Sequence, residues 1–229
     1  MKSNIKKVMQ KFNFEEKSAS LLYWKNTEVG NRWSLKVAGH LSNREERGLK
    51  DYVDSRIACG DVGPNTWGHH DCFAGLAAQT RVTHQRTDNP YQFLGHLVMP
   101  VFRYAGTQEI LVGVIELVTY IPKDSYIEEF NQINMLLKGE KLATAKKIKI
   151  DYGGNTVWFS LPLESGTTYL WKNVTERFNT LNQRAFRIMY SDYYGYPRTI
   201  STDADLRACL VDPGSMGSLK IRMFIVRIA

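Results

Sequence analysis

The segment Lys146–Phe159 limits most strongly what the second half of this chain can fold into. Isoleucines and lysines alternate in its first part, which is the period of a β-strand with one buried face. Two consecutive glycines then supply the positive φ angles of a tight hairpin turn. If these glycines form the whole loop, Ile150 faces Val157 and Lys149 faces Trp158 across the two strands. The segment therefore predicts a β-hairpin with an aliphatic face and a lysine-bearing face.

The residues after this hairpin predict a compact α+β unit. The first expected element is a helix with the apolar stripe Leu170, Val174 and Phe178. A strand over Phe186–Tyr190 and a short strand over Arg198–Ile200 follow. The last two are a helix capped by Thr202, with Asp205 three residues on, and a strand with Ile221 and Ile225. The predicted order is strand, strand, helix, strand, strand, helix, strand.

Opposite charges fall on different parts of this unit. Lysines lie on the first strand, whereas Asp192, Asp203 and Asp205 lie near the start of the second helix. Such an arrangement suggests head-to-tail pairing with a similar domain, which is a binding design and not a catalytic one. The alternative is structural: strand lysines are commonly a solvated face, and Asp203 and Asp205 can simply complement the helix dipole.

The same residues resemble a Phox and Bem-one domain (PB-one, or PB1). The lysine of the family's first strand falls on Lys149, and the frame of its acidic loop is kept over 190–196 and Asp203–Leu206. Three acidic positions of that loop are occupied by Tyr193, Tyr194 and Tyr196. Trp158 stands where the family usually carries an arginine in the second strand.

The resemblance implies a ubiquitin-like β-grasp fold over 143–229 that binds other PB1 domains. The partner-binding residues that it implies are Lys147, Lys149, Trp158, Asp192, Asp203 and Asp205. From Lys146 onward the chain has twelve basic and seven acidic residues, so this part contributes +5 of the net charge of +7. We therefore expect pairing with an acidic partner more than self-assembly into filaments.

The first half of the chain predicts a second domain over residues 1–142. It is expected to begin with an amphipathic helix that contains Ile5 and Phe12, followed by strands over Leu21–Trp24 and Arg32–Val37. A loop-rich stretch over 50–92 then leads to a central strand pair over Leu97–Phe102 and Ile110–Val118. A closing helix over Tyr126–Leu137 and a linker over Lys138–Lys141 complete it. This layout is GAF- or PAS-like and is typical of a cup for a small ligand.

The central strand pair and the Lys123-x-x-Tyr126 pattern are similar to the GAF-like N-terminal domain of plant NIN-like proteins. Residues 50–90 are divergent and shortened relative to that family. NIN-like proteins are nitrate-responsive transcription factors that end in a PB1 domain, so the two resemblances reinforce each other. The family's front domain is implicated in nitrate binding, which makes Tyr126 a candidate ligand-binding residue. A packed core tyrosine is the alternative.

The chain lacks the Arg-Trp-Pro-x-Arg-Lys segment through which NIN-like proteins bind DNA. Its basic residues are dispersed over strands, so direct nucleic-acid binding is not expected despite the positive charge. His69–Cys72 groups metal-capable side chains, but adjacent residues point apart and no second ligand pair has a useful spacing. No catalytic motif, cofactor or metal is therefore predicted.

The N-terminus lacks the apolar core of a signal peptide, and no apolar run has the length of a membrane span. Three unevenly spaced cysteines favour reduced thiols, in the nucleus or the cytoplasm. The resulting hypothesis is a non-catalytic adaptor that pairs with full-length NIN-like transcription factors and modulates nitrate-responsive transcription. The alternatives are a nitrate sensor module, a sequence-specific DNA-binding transcription factor, and a truncated gene product without a role.

Overall fold

Two five-stranded sheets, each with its own helices, divide the chain into a front unit, Met1–Thr144, and a rear unit, Ala145–Ala229. They are seen in a computed structural model. The structure describes residues 2–15, 17–29, 32–44, 46–63, 72–86, 94–105, 108–178, 181, 185–212, 215 and 220–228. The α+β class predicted from the sequence is confirmed.

The front unit contains five strands and four helices within the described residues. They are α1 (Lys2–Lys11), β1 (Ala19–Val29), β2 (Arg32–Asn43), α2 (Arg47–Ala58), α3 (Phe73–Thr80), β3 (His84–Arg86), β4 (Gly95–Ala105), β5 (Gln108–Thr119) and α4 (Ile127–Gly139). The sheet has the order β2-β1-β5-β4-β3, and all its neighbouring strands are antiparallel.

Consecutive residues of β1 and β5 are buried, so both faces of the front sheet are covered. Leu21 and Leu22 are both buried, as are Leu117 and Val118. Helix α2 packs on β1, α3 packs on β4 and β5, and α1 contacts α4. The strand pair predicted over 97–118 is confirmed as β4 and β5, each with a further strand on its outer side.

Two details of the front half differ from the sequence prediction. The stretch 50–92 was expected to be loop-rich, but it contains α3, β3 and most of α2. The apolar stripe of α2 is short, and α3 buries mainly alanine and glycine, so neither helix has the strong periodicity that identifies one. The linker expected over 138–141 begins later, because Lys138 and Gly139 are the last residues of α4.

The rear unit has the predicted order of elements. They are β6 (Ala145–Tyr152), β7 (Asn155–Pro162), α5 (Thr167–Arg177), β8 (Phe186–Ser191), β9 (Pro197–Ile200), α6 (Asp203–Val211) and β10 (Lys220–Arg227). The sheet order is β7-β6-β10-β8-β9. Strand β10 is parallel to β6 and antiparallel to β8, so the last strand lies between the first and the third.

The hairpin register predicted from the sequence is confirmed. Ile150 pairs with Val157, Lys149 pairs with Trp158, and Gly153 and Gly154 form the turn with φ values of +56° and +80°. The aliphatic residues of β6 lie in the core with Leu170 and Val174 of α5, so this helix covers the inner face of the sheet. The outer face of β6 carries Lys147 and Lys149.

Among the described residues, none of the helices combines the length and the apolar character needed to span a bilayer.

Candidate partner-binding surfaces

The outer face of the rear sheet carries Lys147 and Lys149 on β6 and Trp158 on β7. Trp158 is 43 % exposed. The Nζ atoms of Lys147 and Lys149 lie 4.6 and 5.9 Å from the centre of its ring, which are cation–π distances. The indole therefore holds both ammonium groups on one side of the sheet.

Strand β10 extends this surface. Its parallel register places Lys220 beside Lys147 and Arg222 beside Lys149. Paired residues of neighbouring strands point to the same side of a sheet, so the four cations share the outer face. We call this surface, formed by Lys147, Lys149, Trp158, Lys220 and Arg222, the basic sheet face.

A single carboxylate accompanies these cations on the outer face of β6, β7 and β10. Asp151 lies two residues after Lys149 and accepts a salt bridge from its Nζ atom at 3.1 Å. The Thr156 hydroxyl donates a hydrogen bond to Asp151. This bond and the nearby Lys149 ammonium group lower the pKa of Asp151, so its carboxyl group is ionised at neutral pH. Both partners of this salt bridge are partly exposed, and such pairs exchange readily with other charges.

Lys146 has a different role from its neighbours. It is 2 % exposed, and its Nζ atom donates a hydrogen bond to the backbone carbonyl of Ser215 at 2.5 Å. Burial lowers the pKa of Lys146 from 10.5 to about 8. This lysine therefore belongs to the inner face of the sheet and contributes nothing to the basic sheet face.

Asp192 is used to build the loop between β8 and β9. One carboxylate oxygen accepts the backbone N–H groups of Tyr194 and Tyr196 at 3.1 and 2.9 Å, and the other accepts Nε of Arg198 at 2.9 Å. The pKa of Asp192 is lowered overall. Partial burial acts to raise this pKa, but the hydrogen bonds from Arg198 and the two backbone amides outweigh the effect of burial. The side chain is 8 % exposed, so little of its charge is open to a partner.

Asp203 and Asp205 are used to cap helices. Asp203 accepts both the backbone N–H and the hydroxyl of Thr167 at 2.7 Å, at the start of α5. Asp205 forms the predicted capping box with Thr202 at the start of α6, and it also accepts the N–H of Ser201 at 3.0 Å. These hydrogen bonds lower the pKa of both carboxyl groups.

Three tyrosines occupy the surface of the β8–β9 loop. Tyr193, Tyr194 and Tyr196 are 63, 80 and 63 % exposed. Their side chains point outward because the backbone of the loop folds around the Asp192 carboxylate. The surface near Asp192 is thus mainly aromatic.

Tyr126, the candidate ligand-binding residue of the front unit, is fully buried. Its hydroxyl forms a 2.5 Å hydrogen bond with Oγ1 of Thr119. The same hydroxyl packs over Gly95, and a Cβ atom added to this glycine would lie 1.8 Å from the hydroxyl oxygen. Burial raises the pKa of Tyr126. Its hydroxyl is therefore engaged by the protein itself.

The front unit also contains a buried polar network that the sequence did not reveal. Glu116 on β5 accepts hydrogen bonds from Nε1 of Trp24 and from the hydroxyl of Tyr52, each at 2.7 Å, and its Oε1 lies 3.2 Å from Nδ1 of His96. Burial raises the pKa of Glu116, but the hydrogen bonds from His96, Tyr52 and Trp24 outweigh it and lower the pKa overall. The network fixes α2 and two strands around one ionised carboxylate.

No group of three or more metal-ligating side chains occurs among the described residues. His69, His70 and Asp71, which the sequence brings together, lie outside them.

Comparison with known families decides what the rear unit is. Residues 145–227 match the family model described as "PB1 domain". These residues form a PB1 domain. The rear unit is therefore a protein-interaction module with a ubiquitin-like fold, and it is not a catalytic domain.

A solved structure described as "AtNBR1-PB1 domain" is similar to this chain, with 18 % sequence identity and a TM-score of 0.32. The match covers 37 % of this chain and 98 % of the other. A search of curated proteins found no match.

Sequence reasoning missed two cations of the PB1 domain surface, Lys220 and Arg222. Both alternate with the buried residues Ile221 and Met223, so the sequence does place them on the outer face of β10. It does not reveal that β10 lies beside β6, because this parallel pairing joins strands about seventy residues apart. The burial of Lys146 had a signal in the sequence, since it alternates in phase with Ile148 and Ile150.

Proposed function

We propose that the PB1 domain uses the basic sheet face to bind an acidic surface on the PB1 domain of another protein. The observation that carries this proposal is the convergence of Lys147, Lys149, Lys220 and Arg222 on one side of the sheet, accompanied by Asp151 alone on those three strands. Trp158 adds an exposed aromatic side chain on β7, beside the lysines of β6.

Electrostatics support a docking role for this face. Four cations side by side repel one another, and an acidic partner relieves that repulsion. The existing Lys149–Asp151 pair is partly exposed, and such pairs contribute little to stability, so a partner carboxylate can replace Asp151 at little cost. Removing one member of a charge pair that is desolvated in an interface weakens binding by roughly 2–5 kcal/mol. Lys149 is thus expected to matter far more for binding than for folding.

The aspartates favour pairing with a different protein. Asp192, Asp203 and Asp205 are each engaged by hydrogen bonds within the chain. A second copy would therefore present few available carboxylates to the basic sheet face. An acidic PB1 domain from another protein supplies them.

The resemblance of residues 1–142 to the GAF-like domain of NIN-like proteins makes the PB1 domains of those transcription factors the first partners to test. The order of the front unit, with α1, β1 and β2, a central strand pair and the closing α4, agrees with a GAF-like layout. Through such pairing the chain would act in the nucleus or the cytoplasm as an adaptor that competes for an acidic face and so modulates nitrate-responsive transcription.

Isothermal titration calorimetry of the full chain against the PB1 domain of a full-length NIN-like protein tests this proposal. We expect micromolar binding that weakens at least tenfold in Lys149→Ala, which corresponds to about 1.4 kcal/mol. The matched control is Lys172→Ala, on helix α5 at the opposite face of the sheet, which should bind like wild type.

Absence of wild-type binding rejects this partner. Binding that is equally strong in Lys149→Ala means that the partner uses a different surface.

A further inference from the structure

The β8–β9 loop presents an aromatic patch to which the proposed function assigns no role. We call residues 192–196 the tyrosine loop. The rings of Tyr193 and Tyr194 meet edge to face, with centres 5.3 Å apart and an interplanar angle of 79°. Val211, at the end of α6, is also 65 % exposed. Val211 lies near the loop, because Asp212, the next residue in the sequence, accepts a hydrogen bond from the N–H of Tyr193 at 3.3 Å.

The tyrosine loop is ordered before any partner binds. The N–H of Asp192 donates to the carbonyl of Tyr196 at 2.9 Å, and the N–H of Gly195 donates to the carbonyl of Asp192 at 2.8 Å. Gly195 has a φ of +85°, which only glycine adopts without strain. A loop fixed in this way loses little backbone entropy on binding, and tyrosine has few side-chain torsions to immobilise.

Charge indicates which surface of the PB1 domain can face a second copy of itself. The domain carries twelve basic and seven acidic residues, so most pairs of surfaces repel each other. The tyrosine loop contains no lysine or arginine, and the nearby Arg198 is paired with Asp192. A nearly neutral aromatic patch on a positively charged domain is a surface that two copies can bring together at a lower electrostatic cost than two basic surfaces.

The size of the patch sets the expected strength. A buried tyrosine contributes roughly 150–250 Å². With the exposures given above, the three tyrosines offer on the order of 400 Å² per copy. Two copies would bury about 800 Å², which lies below the range of stable specific interfaces and is typical of weak, transient association.

We propose that the tyrosine loop is a two-fold contact between two copies of this chain, in which Tyr193, Tyr194 and Tyr196 of one copy stack on those of the other. The loop joins β8 to β9, at the opposite end of the sheet order from β7 and β6. Both basic sheet faces of such a dimer remain open. The dimer can therefore engage two acidic partners, or two sites on one partner assembly, with a gain in avidity.

This contact stands independently of the proposed function, because it uses different residues and a different physical force. Salt separates the two: binding through the basic sheet face weakens as salt rises, whereas aromatic stacking between nearly neutral patches does not. A failure of one therefore leaves the other intact.

Sedimentation velocity of the full chain, at concentrations up to about 300 μM and in about 0.05 and 0.5 M NaCl, tests the proposal. We expect a dimer whose fraction rises with concentration and is at least as large at high salt. The triple variant Tyr193→Ser, Tyr194→Ser, Tyr196→Ser should self-associate at least tenfold more weakly. Trp158→Ser, which removes an exposed aromatic side chain elsewhere on the domain, and Lys149→Glu should both dimerise like wild type.

Circular dichroism and the thermal midpoint show whether the triple variant is folded. If it is not, Tyr194→Ser alone decides, because Tyr194 is the most exposed of the three. A wild-type chain that stays monomeric at the highest concentration overturns the proposal. So does a dimer that survives loss of the tyrosines, or one that Lys149→Glu dissociates.

Discussion

The basic sheet face and the aspartates of the PB1 domain are opposite in charge, and they differ even more in how the chain uses them. Lys147 and Lys149 contact the Trp158 ring, and Lys149 also pairs with the partly exposed carboxylate of Asp151. These are weak interactions that a partner can replace. Asp192 and Asp203 each accept at least two hydrogen bonds from the chain itself. A charged side chain is therefore available to a partner only if the fold has not already used it.

This difference follows from what each side chain can do. A carboxylate accepts several N–H groups at once, so it readily becomes a helix cap or the centre of a loop. The ammonium groups of Lys147 and Lys149 face solvent, and their long stems pack along apolar surface while the charges stay partly exposed. Substitutions in the two groups should consequently affect different measurements, namely binding for the lysines and stability for the capping residues.

Lys146→Met provides the largest expected change in stability, because it separates the buried lysine of β6 from the exposed ones. Burial lowers the pKa of Lys146 to about 8, so keeping it charged at pH 7 costs on the order of 3 kcal/mol. The hydrogen bond to Ser215 offsets about 1 kcal/mol of this. The variant should therefore be more stable by about 2 kcal/mol at pH 7 in chemical denaturation, with partner binding unchanged.

The pH dependence gives a second check on Lys146. Its pKa is lower in the folded state, so the unfolded chain binds more protons at this residue between pH 8 and 10.5, and Lys146 contributes a rise in the free energy of unfolding across that window, against the fall contributed by buried thiols such as Cys209. Lys146→Met should lack this rise, whereas the control Lys149→Met should keep it. An equal slope in all three proteins would show that Lys146 is not the buried group.

Thr202→Ala should lower stability by about 1 kcal/mol, because it removes the side-chain cap of α6. Since the capping box is structural, the dissociation constant for an acidic partner should stay within about twofold of wild type. Chemical denaturation and calorimetry on the same preparation measure both. Intact stability with lost binding would mean that this corner of the domain contacts the partner.

Acid should also reveal the role of the capping carboxylates. The pKa values of Asp203 and Asp205 are lowered in the folded state, so their stabilisation is present above their ordinary pKa of 3.8 and is lost as the pH falls through the folded values. Asp205→Asn should therefore lose less stability than wild type when the pH is lowered below about 4.

Trp158→Arg should have the smallest effect, since it adds one more cation to the basic sheet face. The exposed position and the pairing with Lys149 allow an arginine to reach a partner carboxylate. We expect binding to an acidic PB1 domain to strengthen by about threefold and to depend more steeply on salt. Weaker binding would mean that the indole itself contacts the partner.

The sequence revealed the parts of this fold that local rules determine. Alternation and two glycines were enough to give the register of Lys149 with Trp158, and Thr202 with Asp205 identified the start of α6. The neighbours of β6 could not be obtained in this way, because the pairing of Arg222 with Lys149 depends on the whole topology.

The state of the acidic residues was equally hidden from sequence reasoning. Asp192 and Asp203 were predicted from the sequence to bind a partner, but their hydrogen bonds depend on how the loop and the start of α5 meet them. Helix α3 was missed for a related reason, since alanine-rich segments gain their helical stability from packing on the sheet.

A charge-reversal experiment tests most directly whether the basic sheet face binds an acidic loop. The full chain carrying Lys149→Glu is titrated against a wild-type acidic PB1 domain, and then against the same domain with one loop aspartate replaced by lysine. We predict binding at least a hundredfold weaker in the first titration and recovery of at least tenfold in the second. Unchanged binding by Lys149→Glu would contradict this prediction.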